Sequence, residues 1–159
     1  MPNYKGHVCG GIAVYSLAIF GIYVMCGFAH FTFLHGVICL FCTLFGALFP
    51  DVDTKSRGQR YFYQLLSMII VVYICKKHFI AVSICALFAT IPLLARHRGI
   101  FHQAWFLIVL TIGIVAGILK TGICTVSYVY HGAFFFLVGA FSHLFLDFAP
   151  SSFKRRRWR

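Results

Sequence analysis

Three carboxylates, Asp51, Asp53 and Asp147, are all that this chain of 159 residues carries, and no Glu occurs. They fall in two short segments, FPDVDTKSR and GAFSHLFLDF, while a third, RHRGIFH, adds imidazoles and arginine. Asp51 and Asp53 follow Pro50 at i and i+2, a spacing that converges on one ion in a turn and diverges on a helix. His143 and Asp147 are four residues apart and share one helix face. His97 and His102 would lie about 140° apart on a continuous helix, so joint coordination requires Gly99 to turn the chain. Arg98, between them, is suited to clamping a phosphate. The plainer alternatives are a polar loop with an Asp helix cap for the first segment and a structural His to Asp hydrogen bond for the second.

Oxygen and imidazole donors in this ratio suit zinc, manganese or iron(II). The candidate ligands are His7, Asp51, Asp53, His97, His102, His143 and Asp147, enough for one or two divalent ions, with zinc and manganese foremost. Within that set Asp53 is the candidate general base, and Arg98 would hold an anionic group. Asp51, His97 and His143 are each 46 residues apart, about two membrane spans with their connections, so each return of the chain brings a ligand to the same face. His30, His35, His78 and His131 fall toward the other face without acidic partners and read as interfacial or packing residues.

The elements that must position these groups are membrane helices. Hydrophobic residues make up 61% of the chain and charged residues 11%, where a soluble domain carries roughly a quarter charged. Mean hydropathy is +0.89, which leaves no material for a water-facing surface. The expected fold is all-α, a polytopic membrane bundle of about six transmembrane helices, in a single domain over 1–159 with a short basic tail at 151–159. The apolar runs are Val8 to Gly27, Phe31 to Phe49, Tyr61 to Cys75, Phe79 to Ala95, Ala104 to Leu119 and Ile123 to Leu146. The third holds 15 residues, about 22 Å of helix against roughly 30 Å of hydrocarbon, so it must thin the bilayer or borrow flanking residues.

Lys and Arg orient the bundle. If both termini are cytoplasmic, Lys5, Lys55, Arg57, Arg60, Arg96, Arg98, Lys154, Arg155, Arg156, Arg157 and Arg159 all lie inside, and only Lys76, Lys77 and Lys120 lie outside. The formal net charge of +11 would point to nucleic acid in a soluble protein; here it reads as topology, and no nucleic-acid partner is expected. The tail KRRRWR is placed to bind anionic membrane lipid, with Trp158 at the interface, or to act simply as a topology anchor. The first apolar run is longer than a usual signal core and is read as a retained span. Seven Cys, an odd number spread mostly through apolar runs, read as small fillers, the Cys39 and Cys42 pair included.

Four segments in order, MPNYKGHVCGG, LFPDVDTKSR, HRGIFH and GAFSHLFLD, give the chain over its full length a resemblance to a known family, the LexA-binding, inner-membrane-associated metal-dependent hydrolases of the YdjM type. The resemblance implies a multi-pass protein of the bacterial inner membrane with a metal site carried by the motif His and Asp, namely His7, Asp51, Asp53, His97, His102, His143 and Asp147. One departure is Gly6, where the family pattern has Thr before the first His. As an enzyme, such a site would hydrolyse a phosphoester, with a lipid phosphate able to reach it at headgroup level. The non-enzymatic alternatives are a structural metal site clasping helices and a small transporter. The absence of Glu excludes HExxH zinc proteases, and no GxSxG segment occurs.

Overall fold

Backbone N–H and C=O groups find no water in a bilayer, so apolar runs of this kind must satisfy them internally as helices. The computed structural model describes residues 4–26, 32–53, 56–94, 99–121 and 125–156. It contains α1 (Tyr4–Cys26), α2 (Phe33–Leu48), α3 (Arg57–Cys75), α4 (Phe79–Leu94), α5 (Ala104–Thr121) and α6 (Val126–Arg156). Two 3₁₀ turns, Phe49–Asp53 and Ile100–His102, follow α2 and precede α5. No strand occurs among the described residues. The protein is an all-α membrane helix bundle, as its composition requires.

Each expected run corresponds to a helix, with one correction of substance. The third helix is not a short one: it spans 19 residues, about 28 Å, because it starts at Arg57 rather than at the first apolar residue. Ser56 caps it, its hydroxyl accepting from the Gln59 N–H at 3.2 Å and donating to the Asp51 carbonyl at 2.9 Å. Capping allows Arg57, Gln59 and Arg60 to be helical at the membrane edge, which counting apolar residues alone does not register. By length and hydropathy, Tyr4–Met25, Phe33–Val52 and Val126–Phe148 can each cross a membrane, and Ala104–Lys120 is a shorter apolar helix.

The centre of the bundle is the pairing of α2 with α6. Helices in lipid gain little from apolar burial against each other, so close backbone approach and van der Waals fit decide which of them associate. Here the approach is made by glycine. A Cβ at Gly46 would overlap the Phe136 carbonyl, and one at Gly139 would overlap the Thr43 carbonyl. The neighbouring buried side chains Cys39, Ala47 and Ala140 are small as well. Thr43 and Ser142 lie in the same seam and donate to carbonyls of their own helices, Cys39 and Gly139, at 2.8 Å, so the polar atoms placed there are satisfied.

Around this pair, α1 packs against both partners and α5 against α6. A Cβ at Gly10 would lie 2.5 Å from Leu146 Cδ1, and one at Gly11 would lie 3.1 Å from the Ala47 Cβ, so α1 also approaches through small residues. The α3–α4 hairpin joins the rest mainly through the first 3₁₀ turn, where Phe45, Phe49, Phe62 and Phe136 interlock with ring centroids 5.4–6.4 Å apart. Val52 and Phe101 are buried beside them and join the two 3₁₀ turns to one another.

The glycine seam gives a direct test. Gly139→Ala must push α6 away from α2 and is expected to cost about 1–3 kcal/mol in thermal or denaturant unfolding in detergent. Gly113→Ala and Gly117→Ala, on α5 with nothing within 4 Å, are the controls and should be neutral or gain a little from the better helix propensity of Ala.

Candidate metal centre

Four chain segments meet at one end of the bundle. His7 lies in the first turns of α1, Asp51 in the 3₁₀ turn after α2, His102 in the 3₁₀ turn before α5, and His143 with Asp147 on α6. The i, i+4 spacing of the last two places both on the face that α6 turns inward, with His143 Nε2 3.8 Å from Asp147 Oδ2. Pro50 and the 3₁₀ turn carry Asp51 across the end of α2, bringing its Oδ1 to 3.6 Å from His143 Nε2 and 3.7 Å from His102 Nε2. His102 Nε2 is also 3.8 Å from Asp147 Oδ2, and His7 Nε2 is 3.7 Å from Asp147 Oδ1. The His7 ring stacks on that of His143 with centroids 3.8 Å apart, and His102 meets His143 edge-on at 5.6 Å.

These separations are chemically specific. An N–H to O hydrogen bond is 2.7–3.2 Å long, and all five contacts exceed that. Two ligand atoms each about 2.1 Å from a tetrahedral ion lie about 3.4 Å apart, close to what is seen. His143 decides the matter further. Its ring is fully buried, and its Nδ1 is 2.7 Å from the Ala47 carbonyl, which only accepts, so Nδ1 carries a proton and Nε2 is the nitrogen turned toward the carboxylates. That Nε2 has no hydrogen-bond partner, nor does the buried Asp147 Oδ1. Buried polar atoms without partners cost about 1–3 kcal/mol each, a cost that a cation among them removes. The donor set also balances: two carboxylates with three neutral imidazoles offset one divalent charge in an apolar interior.

Two groupings, His7 with His143 and Asp147, and Asp51 with His102 and His143, each bring their ligand atoms within 4.8 Å of one another. They share His143, and a single nitrogen lone pair serves one ion. The described ligands therefore make one centre rather than two independent ones. A carbonyl fixing the remote imidazole nitrogen, as Ala47 does here, is the usual way a ligating His is oriented.

The profile of the YdjM inner membrane protein family matches residues 3–153. The chain belongs to that family. The match takes in every segment that contributes to the centre. Neither the comparison with curated proteins nor that with solved structures gives a match.

In this YdjM-family chain, five of the seven candidate ligands from the sequence, His7, Asp51, His102, His143 and Asp147, come together. His97 and Arg98 lie outside the described residues, and of Asp53 the backbone is described but not the side chain. Asp51 takes its partners from the other two segments rather than from its neighbour in sequence. His35 and His131 pack together at the far end of α2 and α6, with ring centroids 4.8 Å apart and Tyr128 stacked on His35 at 4.3 Å. Sequence reading did not find the Ala47 carbonyl or the glycines Gly46 and Gly139. A backbone acceptor leaves no trace in residue type, but the run of small residues at Cys39, Thr43 and Ala47 was a readable sign of close helix packing.

Purified protein loaded with zinc or manganese is expected to retain one or two ions per chain by elemental analysis. His143→Ala and Asp147→Ala should each lower that content and, since metal binding is coupled to folding, the melting temperature as well. His35→Ala removes an equally buried imidazole from outside the centre and should leave the metal content unchanged.

Proposed function

We propose that this inner membrane protein is a metal-dependent hydrolase acting on a lipid phosphoester at the headgroup level. The observation that carries the reading is the buried His143 Nε2, turned by the Nδ1 contact with Ala47 to face two carboxylates at 3.6 and 3.8 Å with no hydrogen-bond partner. His7, Asp51, His102, His143 and Asp147 would hold the ion, zinc or manganese. When bound, it supplies a Lewis acid for a phosphoryl oxygen and a means of activating water near neutral pH.

The chain's own residues do the rest. Asp53, two positions beyond Asp51 at the end of the 3₁₀ turn, takes a proton from the attacking water. The water oxygen bonds to phosphorus, the bond from phosphorus to the lipid oxygen breaks, and that oxygen leaves as the alcohol by taking the proton Asp53 accepted, which restores the carboxylate. Arg98 holds the phosphoryl oxygens during the exchange. His97 adds a further ligand. A phosphate substrate suits the charge at this end of the bundle, where Lys5, Arg57 and Arg60 stand at the starts of α1 and α3. The basic tail at 151–159 binds anionic lipid and holds the site against the membrane surface, at roughly 1 kcal/mol per basic residue.

A second reading has its own support. The same contacts tie α1 to α6 through His7 and Asp147, and a structural metal clasp needs no more than that. Asp53→Asn separates the two. It keeps size and much of the hydrogen bonding while removing basicity, so a hydrolase should keep its metal and melting temperature and lose about 10²–10⁴ in turnover of phospholipids or isoprenoid phosphates. A clasp has no turnover to lose. Loss of metal on this change would make Asp53 a ligand instead of the base.

The site faces the cytoplasm in this reading, with both termini inside. Reporter fusions at Arg60, Arg98 and Arg159 should read cytoplasmic and those at Lys77 and Lys120 external. Opposite readings at Arg60 and Arg98 would separate the motifs across the membrane and end the proposal in this form.

A further inference from the structure

We infer that the groove between the start of α5 and the inward end of α6 is the seat of one acyl chain of a lipid phosphate whose head lies at the metal centre. The groove has a volume of about 550 Å³ and is lined by His102 and Asp147 at one end and by Ala104, Phe141, Leu144, Phe145 and Phe148. That volume is in the range of small-ligand sites, roughly 300–1,000 Å³. Two other cavities, of about 210 and 440 Å³, include none of the five ligands among their lining residues. The inference rests on the hydrolase reading for the identity of the head, and on the groove alone for the chain.

Three features fix the occupant. Polar and apolar lining are segregated: two ligands of the centre stand together, and every other lining residue is apolar. A water-soluble phosphoester would gain nothing from Phe141, Phe145 and Phe148. Those three rings are exposed on the outer surface of the bundle, so in a membrane protein the groove opens sideways to lipid, without a detour through water. Depth is set by Trp105 in the first turn of α5, 60% exposed beside the groove, in the position Trp adopts at the membrane interface. His102 is then at headgroup level. Phe141, about 9 Å along α6 from Asp147, lies deeper, where an acyl chain would run. The basic residues Lys5, Arg57 and Arg60 at the same end complement an anionic head.

The test uses full-length, metal-replete protein in phosphatidylcholine vesicles containing a low mole fraction of phosphatidic acid with a diazirine in its acyl chain. After irradiation, labelled peptides are mapped, with and without excess unlabelled phosphatidic acid. The expected result is saturable labelling at Phe141 and Phe145, against unsaturable labelling at the lipid-exposed Leu17 and Phe20 of α1. Ala104→Trp, which adds bulk at an exposed groove position, should reduce the saturable label about tenfold. Its metal content and melting temperature show whether it has folded. Label at Phe141 and Phe145 no more saturable than at Leu17 and Phe20 would overturn the groove, whichever way the variant behaves.

Phosphate release is followed in the same vesicles. Saturable label without release, for any lipid phosphate tried, would leave the groove standing and remove the hydrolase reading. Release that Ala104→Trp leaves unchanged would keep the hydrolase and remove the groove.

Discussion

Two glycines hold the rest of this structure in place. Where Gly46 meets the Phe136 carbonyl and Gly139 the Thr43 carbonyl, α2 and α6 approach until backbone touches backbone, an approach that no side chain at either position would permit. In lipid this fit takes the place of hydrophobic burial as the reason two helices stay together. It also sets the register of α6 against α2, and through it the one contact on which the centre turns, His143 Nδ1 against the Ala47 carbonyl. Gly139 and His143 are one helical turn apart, as are Thr43 and Ala47, so the packing seam and the polar site are successive turns of the same interface.

The site is consequently built from parts that could not stay buried on their own. An imidazole and a carboxylate inside an apolar bundle cost several kcal/mol unless they meet partners of opposite character. The partners here are held at 3.6–3.8 Å, too far to satisfy one another by hydrogen bonds and close enough to satisfy a shared cation. Packing of Phe49, Val52 and Phe101 fixes the two 3₁₀ turns, so the positions of Asp51 and His102 are maintained by apolar contacts a few residues away. If the cluster holds an ion, stability and metal affinity are coupled. Whatever loosens the seam or the aromatic cluster spreads the ligands, and whatever fills the centre draws α1, α6 and the two turns together.

The same arrangement gathers the His and Asp side chains at one end of the bundle. Ligands from four segments reach one end of the bundle, while the opposite end of α2 and α6 carries a His pair packed with Tyr128. A centre at the membrane edge meets water on one side and lipid on the other. This is where a group that needs both, such as a phosphate on an acyl chain, can be presented.

The all-helical fold, six runs and a cluster of acids and imidazoles at one end follow from the sequence, for local reasons. Apolar residues without acids leave helices as the only way to satisfy a backbone in lipid. The 46-residue recurrence of Asp51, His97 and His143 matches two spans, and the spacing of His143 and Asp147 is a helix-face relation that any α-helix obeys. The start of α3 was not legible from apolar counting, because a Ser cap and polar first turn begin it. Nor were the pairings. That Asp51 faces His102 and His143, that His7 reaches Asp147, and that Ala47 orients His143 are contacts between residues 51 to 140 positions apart. They depend on how closely α2 and α6 approach and at what register, and helices apolar on every side give no periodicity from which to read a face. Residue types determined which groups could form a site; the glycine contact between two helices decided which of their atoms meet.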